Sequence, residues 1–394
     1  MNSIRDKVAV IGVGCSRFGE NFDLSYEDMI VDATYEAYKD AGIDPKDIQA
    51  AWLGTVNPEI GSCSGKSGGS LADPLRLFDI PITRVENYCA SGLDAFRNGC
   101  LAVASGMYDI ALVVGAEKMR DSPPNDTLVA SVYHHSHPLL NKGMSYIGFF
   151  GMCANVYREK YGLSEETLAR VAVKSHHNGA LNPRAFFQRE IDVKTVMDSP
   201  MMAHPLRLLH CAPVTDGAAA AIITRKELAK NFRNDYVLVK GLGMSVSTGF
   251  NINFNPNYDF LTFRSTQIAA KSAYEQAGIK DPRKEISFAE VHDCFSITEI
   301  LNYENLGFCG PGEGKRFIDE GVASLEGDLP VNPSGGLKSF GHPIGASGVR
   351  MIYEITKQLQ GKCGPRQVKN AKLGLAHNLG GTGIAVGVTI LGNQ

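Results

Sequence analysis

The sequence predicts an α/β fold built as two related layered halves, with an insertion inside the first. Three observations carry this expectation. Short β-branched strands alternate with helices of apolar spacing, which implies parallel crossovers and layered packing. The segment Tyr-x-x-Ala-Gly-Ile, followed closely by Pro, occurs at Tyr38 and again at Tyr274, a separation of 274 − 38 = 236 residues. An Ala-Ser-Gly triplet opens a helix in each copy, at Ala90 and at Ala346, 346 − 90 = 256 residues apart. The two spacings differ, so the copies differ by insertions.

In chain order, Lys7 to Gly14 reads as a buried strand and Ser25 to Ala41 as a helix closed by Gly42. Ile48 to Val56 is the next strand. Cys89 then sits in a small-residue turn before an apolar helix over Leu93 to Ala104, and Ala111 to Gly115 closes that unit. The stretch from Arg120 to His204 is too long for an ordinary loop and carries a helix at Glu165 to Asn178. The chain returns to a strand at Gly217 to Ile223, entered through Thr215-Asp216. The second copy starts with the strand Tyr236 to Gly243 and the helix Leu261 to Ala277, and its last long strand is Leu373 to Gly381. The division expected is 1–120 plus 205–234 for the first half, 121–204 for an inserted loop domain on the substrate side, and 235–394 for the second half.

Composition narrows the function. Hydrophobic residues make up 44% and charged residues 21% of the chain, the balance of a water-soluble globular protein. A net charge of -3 gives no electrostatic case for nucleic acid or an anionic membrane. The first residues lack the apolar region of a secretory signal, and no run is long enough to span a bilayer. Nine cysteines are an odd number, none in a CxxC pair. Reduced thiols in a cytoplasm fit better than a disulfide framework, and no metal centre is expected.

Four stretches carry chemistry. Cys89, in Val85-Glu86-Asn87-Tyr88-Cys89-Ala90-Ser91-Gly92, stands at the start of a helix, where the dipole favours thiolate and lowers a thiol pKa. Its small neighbours let a carbonyl approach the backbone. His342, in Gly341-His342-Pro343-Ile344-Gly345-Ala346-Ser347-Gly348, is placed to take a thiol proton and return it. Glu290-Val291-His292-Asp293-Cys294-Phe295 adds a donor for an enolate oxygen, His292, and a thiol able to move a proton on a substrate α-carbon, Cys294. Ala376-His377-Asn378-Leu379-Gly380-Gly381 runs into a glycine-rich turn whose free amides suit an oxyanion hole.

These blocks resemble the signature motifs of the thiolase superfamily. Asn-Tyr-Cys-Ala-Ser-Gly, Gly-His-Pro-Ile-Gly-Ala-Ser-Gly and the terminal Gly-Gly-Thr-Gly carry the resemblance over nearly the full length. His-Asp-Cys-Phe and His377-Asn378 are more similar to the sterol-carrier-protein-2 type and its archaeal and bacterial relatives. The resemblance implies duplicated βαβαβαββ halves in an α/β/α/β/α arrangement. It implies that Cys89 accepts an acyl group from acyl-CoA, that His342 activates it, and that His292 completes an oxyanion site with His342. Amides of Cys89 and of the turn at Leu379 and Gly380 would form the other oxyanion site. Ordinary thiolases have a second catalytic Cys where this chain has His377, so the acid/base task would fall to Cys294, with His377 as helper or contender.

The reaction so implied is cleavage of a 3-ketoacyl-CoA by coenzyme A, or the reverse Claisen condensation, with no covalently bound cofactor. Acetoacetyl-CoA and bulkier, including aromatic benzoylsuccinyl-CoA-like, substrates remain open. A homodimer or tetramer is implied, and a small zinc-ribbon and OB-fold partner protein, of which this chain contains no module. The rival readings are a ketoacyl synthase or hydroxymethylglutaryl-CoA-synthase-like enzyme using Cys89, His342 and His377, and a non-catalytic subunit. Gly65-Lys66-Ser67 is no P-loop, because position 60 is Ile60 rather than glycine. His134-His135-Ser136-His137 reads as a polar loop. Met201-Met202, Phe149, Phe150, Phe186 and Phe187 read as core of the insertion.

Overall fold

A computed structural model describes residues 3–57, 65–123, 145–247 and 258–394. Ile60, Cys63 and the histidines 134, 135 and 137 lie outside the described residues. Nine strands form one sheet in the order β3-β2-β4-β7-β1-β8-β11-β10-β9. They are β1 (Val8–Cys15), β2 (Ala50–Gly54), β3 (Ile82–Val85), β4 (Ile110–Glu117), β7 (Gly217–Arg225), β8 (Val237–Val246), β9 (Phe288–Val291), β10 (Leu373–Gly380) and β11 (Ala385–Gly392). A separate ribbon pairs β5 (Met201–Ala203) with β6 (Leu206–Arg207). Strand β2 runs parallel to β3 and β4, and β10 parallel to β9, whereas β7, β1, β8 and β11 join antiparallel.

The sheet is continuous only through two residue pairs, Ala9 with Leu238 and Val10 with Val237. On either side of this seam the strands belong to different halves of the chain. The helices give the layers. Helix α1 (Tyr26–Ala41) covers β1, β7 and β4 from outside, and α5 (Arg264–Ala277) covers β8 and β11. Between the two half-sheets lie α2 (Ser91–Ala104) and α7 (Ser347–Leu359), each touching strands of both halves. The order is therefore helix, sheet, helix pair, sheet, helix.

The repeated Tyr-x-x-Ala-Gly-Ile motif has a local cause. Gly42 and Gly278 end α1 and α5 in the left-handed region, at φ 71° and 74°. The amides of Ile43 and Ile279 then bond back to the carbonyls of Tyr38 and Tyr274, an orphan-satisfying helix stop that glycine adopts without strain. At the other end of α1, Ser25 and Asp28 form a reciprocal capping box.

Three expectations change. Strand β11 follows the glycine-rich turn, so that turn is a hairpin tip and Leu373–Gly380 is the penultimate strand. The insertion contributes α3 (Tyr146–Tyr161) as well as α4 (Glu165–Ala180), and it packs on the second half. Phe149, Phe150, Tyr157, Leu168 and Val171 share one core with Phe263, Ile297, Ile300 and Tyr303, the last three on α6 (Ser296–Asn305). Phe149 and Phe150 are buried and Phe186 and Phe187 half-buried, but Met201 and Met202 are 43% and 53% exposed. They sit on β5, which among the described residues pairs only with β6.

Candidate active site

The nucleophile candidate is held by its own turn. Chain leaving β3 passes through Tyr88, a non-glycine residue at φ 51°, and reaches Cys89 two residues before α2 begins. Ser91 fixes this left-handed kink by accepting the Asn87 amide and donating to the Tyr88 carbonyl. The Asn87 side chain donates to Asp94 of the same helix at 2.7 Å. Such strain persists only where neighbours over-determine it, and here it aims one sulfur into the middle layer.

His342 arrives from the second half by the matching device. Its Nδ1 lies 2.8 Å from the Ser347 hydroxyl, and that hydroxyl donates to the Pro343 carbonyl at 2.9 Å. With its single proton committed to Pro343, Ser347 accepts from His342, so Nδ1 carries the ring proton and Nε2 keeps a lone pair. Ser91 and Ser347 thus do the same work in the two Ala-Ser-Gly copies. The helix starts touch: a Cβ on Gly92 would stand 2.7 Å from the Gly345 carbonyl oxygen and 3.0 Å from the Val349 amide.

His292 follows β9. Its ring meets that of His342 edge to face, with centroids 5.2 Å apart. The Cys89 sulfur and one nitrogen each of His292 and His342 all lie within 4.8 Å of one another. The end of β9 is pinned by Asn332, which accepts the Val291 amide at 2.8 Å and donates to Glu299, and by Asn302, which donates to the His292 carbonyl at 2.7 Å. Lys174 from the insertion pairs with Glu299 at 2.6 Å.

The remaining candidates are placed less tightly. Cys294 is outside the compact set; its sulfur is 3.7 Å from the Thr298 hydroxyl, and its carbonyl accepts the Ala212 amide. His377 lies within β10 rather than in the turn, opposite Val291, with Nε2 3.1 Å from the Thr266 hydroxyl. Gly380 lies over the kink before Cys89, since a Cβ there would be 2.7 Å from the Asn87 carbonyl oxygen. Leu379 precedes it, paired with Val386. Sequence reasoning missed Gly381, whose amide hydrogen-bonds the Cys89 sulfur, and Ser347; the repeated Ala-Ser-Gly triplet was the signal for the second.

Electrostatics overturn one expectation. Burial pushes the Cys89 thiol up to about 12, and the Glu117 and Glu86 carboxylates reinforce it against the amides of Gly381 and Cys89. A helix terminus contributes only partial charge, and here it does not offset the loss of water. Burial likewise depresses His342 to about 3, with Arg350 adding to the effect, and holds His292 well below its usual value, with His342, His377 and Arg350 adding to the effect. Burial lowers His377 to about 3 and raises the Cys294 thiol well above its usual value, Cys89 being the second cause for Cys294. The resting centre is therefore a set of neutral thiols and neutral imidazoles. An arrangement of this kind moves protons during a reaction instead of storing an ion pair beforehand.

Phe295, next to Cys294 in the chain, packs on Phe150 with centroids 5.1 Å apart. Among the described residues no helix is long and apolar enough to cross a membrane.

The chain matches family models for both halves, "Thiolase, N-terminal domain" over residues 8–227 and "Thiolase C-terminal domain-like" over 252–393. It is 40% identical over 383 residues to an acetyl-CoA acetyltransferase of Methanothermobacter thermautotrophicus, covering 97% of this chain and 98% of that one. It is 34% identical over 399 residues to sterol carrier protein 2 of Oryctolagus cuniculus, covering 96% of this chain and 71% of that one. Among solved structures it is similar in fold to the Ltp2-ChsH2(DUF35) aldolase, with a TM-score of 0.85 at 24% identity over 100% of this chain and 99% of that one. The chain belongs to the thiolase family of acyltransferases, on the side of that family shared by the archaeal acetyl-CoA acetyltransferases and sterol carrier protein 2.

Proposed function

We propose that the protein cleaves a 3-ketoacyl-CoA with coenzyme A, or runs the reverse Claisen condensation, through an acyl group carried on Cys89. The observation that carries this reading is the convergence of the Cys89 sulfur with His292 and His342 within 4.8 Å. In the cleavage direction His342 Nε2 takes the Cys89 proton as the sulfur attacks the keto carbon. The bond between C2 and C3 breaks, its electron pair passes into the thioester as an enolate, and C2 is protonated. Cys294, left as thiolate, then removes the proton of coenzyme A, whose sulfur takes the acyl group, and His342 returns its proton to the released Cys89. Amides at Cys89, Leu379, Gly380 and Gly381 suit the keto oxygen, and His292 with His342 suits the enolate oxygen. Cys294 is the proposed acid at C2, on the similarity of its His-Asp-Cys-Phe block to the sterol-carrier-protein-2 type. His377, hydrogen-bonded to Thr266, is the helper.

Acetoacetyl-CoA is the reference substrate, in keeping with relatives named acetyl-CoA acetyltransferase. The pair of Phe150 and Phe295, the latter next to Cys294 in the chain, supports testing bulkier and aromatic 3-oxoacyl-CoA beside it. A homodimer or tetramer, and a small zinc-ribbon and OB-fold partner, complete the proposal. The Ltp2-ChsH2(DUF35) assembly is a precedent for a fold neighbour with a partner.

Intact-protein mass spectrometry after incubation with acetyl-CoA, and with a panel of 3-ketoacyl-CoAs plus coenzyme A, tests the reading. The expected result is an acyl adduct on the wild type, absent from Cys89→Ala, with turnover that depends on coenzyme A. His292→Ala should slow turnover by about 10²–10³-fold. Consumption of a malonyl thioester would favour the decarboxylating synthase reading. No adduct from any acyl-CoA on folded protein would sink the thiolase proposal.

A further inference from the structure

The three groups that meet at the centre are also a set of metal ligands. A thiol sulfur and two imidazole nitrogens lie within 4.8 Å of one another, and among the described residues this is the one cluster of three such groups. Sulfur with two nitrogens suits zinc, cobalt or cadmium rather than magnesium or calcium, which prefer oxygen. A sulfur and a nitrogen on one tetrahedral zinc stand about 3.6 Å apart, from bonds of about 2.3 Å and 2.1 Å at an angle of about 109°. Closing the cluster on a cation thus needs side-chain movement of about an ångström.

Two further observations point the same way. A ligating histidine commonly needs its second ring nitrogen held by an outer oxygen. His342 has that support already, Nδ1 on the Ser347 hydroxyl at 2.8 Å, with Ser347 in turn fixed by the Pro343 carbonyl. His292 is 1% exposed, and its Nδ1 has no hydrogen-bond partner among the described residues. Cys89 and His342 are only partly buried, so a fourth position can open toward entering water.

We infer that the reaction centre doubles as an inhibitory site for a zinc-type divalent cation, held by Cys89, His292 and His342. The site is empty. On binding, the Cys89 thiol releases its proton to solvent as the sulfur–metal bond forms, with no change of oxidation state. The cation ties up the nucleophile and two imidazoles at once, so metal and acyl group exclude each other. Metal binding itself does not depend on the thiolase reading; only the inhibition rests on it.

Cobalt(II) is the probe, added to the full-length protein after chelator treatment. The wild type should bind one equivalent with a thiolate-to-cobalt charge-transfer band, and Cys89→Ser and Cys89→Ala should lose the band while far-UV circular dichroism shows them folded. Ser347→Ala should keep the band but bind about 10–100-fold more weakly. Replacing His134, His135 and His137 together by Ala should leave the band unchanged. Zinc should block acylation of Cys89 until chelator is added. A band that survives Cys89→Ser, a band lost only when His134, His135 and His137 are replaced, or no band on the wild type would overturn the inference. Acylation without metal binding sinks this inference alone, and metal binding without acylation sinks the thiolase proposal alone.

Discussion

Cys89 rests as a thiol, and that fixes what its reactivity with a small alkylating agent should look like. Below its pKa each unit of pH multiplies the thiolate fraction tenfold, and burial puts that pKa at about 12. Alkylation of Cys89 by iodoacetamide, followed by peptide mass mapping, should therefore climb between about pH 6 and 10 without a plateau. A plateau near neutrality would mean that the helix terminus dominates after all. Lys338 offers a second residue-scale test. It is 1% exposed, and its ammonium donates to the carbonyls of Leu209 and Cys211, the latter at 2.8 Å. Burial lowers it to about 8 from 10.5. Between those values the unfolded chain holds the proton and the folded one does not, so folding stability rises with pH across about 8 to 10.5. The gain from this group is of order 3 kcal/mol. Denaturation of Lys338→Met should lack this rise, and the difference from wild type across that window measures it. The chemistry-bearing residues were legible because their flanks are local. The sign of the thiol shift was not, since it depends on how much water the folded chain excludes and on Glu117 from a strand end 28 residues further on, 117 − 89 = 28.

At the scale of elements, what positions the site is the contact between the starts of α2 and α7. Gly92 faces the Gly345 carbonyl and the Val349 amide across the middle layer, and Gly348 faces the Leu93 amide in return. A methyl group at Gly92 meets backbone at both Gly345 and Val349, so the helices must separate. Gly92→Ala is expected to lower stability by about 1–3 kcal/mol, read as a reduced urea midpoint at unchanged slope. It should also slow acylation of Cys89, because Ser91 and Ser347 are the first residues of these helices and move with them. Unchanged stability and acylation would show that the contact is slack. The paired Ala-Ser-Gly triplets and the paired glycine helix stops were readable because each is a local backbone requirement. The packing of the insertion on the second half was not. Phe149 meets Phe260, and Phe150 meets Phe263 and Phe295, only after more than a hundred intervening residues have folded. Periodicity reports which face of a helix is apolar, and it leaves the identity of the opposing surface open.

For the whole molecule, the two halves are joined by the centre they build. Cys89 comes from the first half, and His292, His342 and the Gly381 amide come from the second. The return links are as direct: the Thr215 hydroxyl accepts the His342 amide at 2.8 Å, and Glu117 accepts the Gly345 amide at 2.9 Å. The sheet seam at β1 and β8 is only two residue pairs, so the coupling must come from α2 and α7, which bury their apolar faces against both half-sheets. Removing either half would expose the middle layer, and residues 1–234 alone should fail to fold cooperatively. The full chain should instead unfold in one step. Trp52, the single tryptophan, lies on β2 and reports the first half. Cys363, 2% exposed beyond α7, reports the second through its access to a thiol reagent. In a urea series the loss of Trp52 fluorescence, the labelling of Cys363 and the loss of acylation at Cys89 should share one midpoint. Separate midpoints for Trp52 and Cys363 would show two independently stable halves, and the helix pair would then be a contact surface between domains rather than the core that unites them.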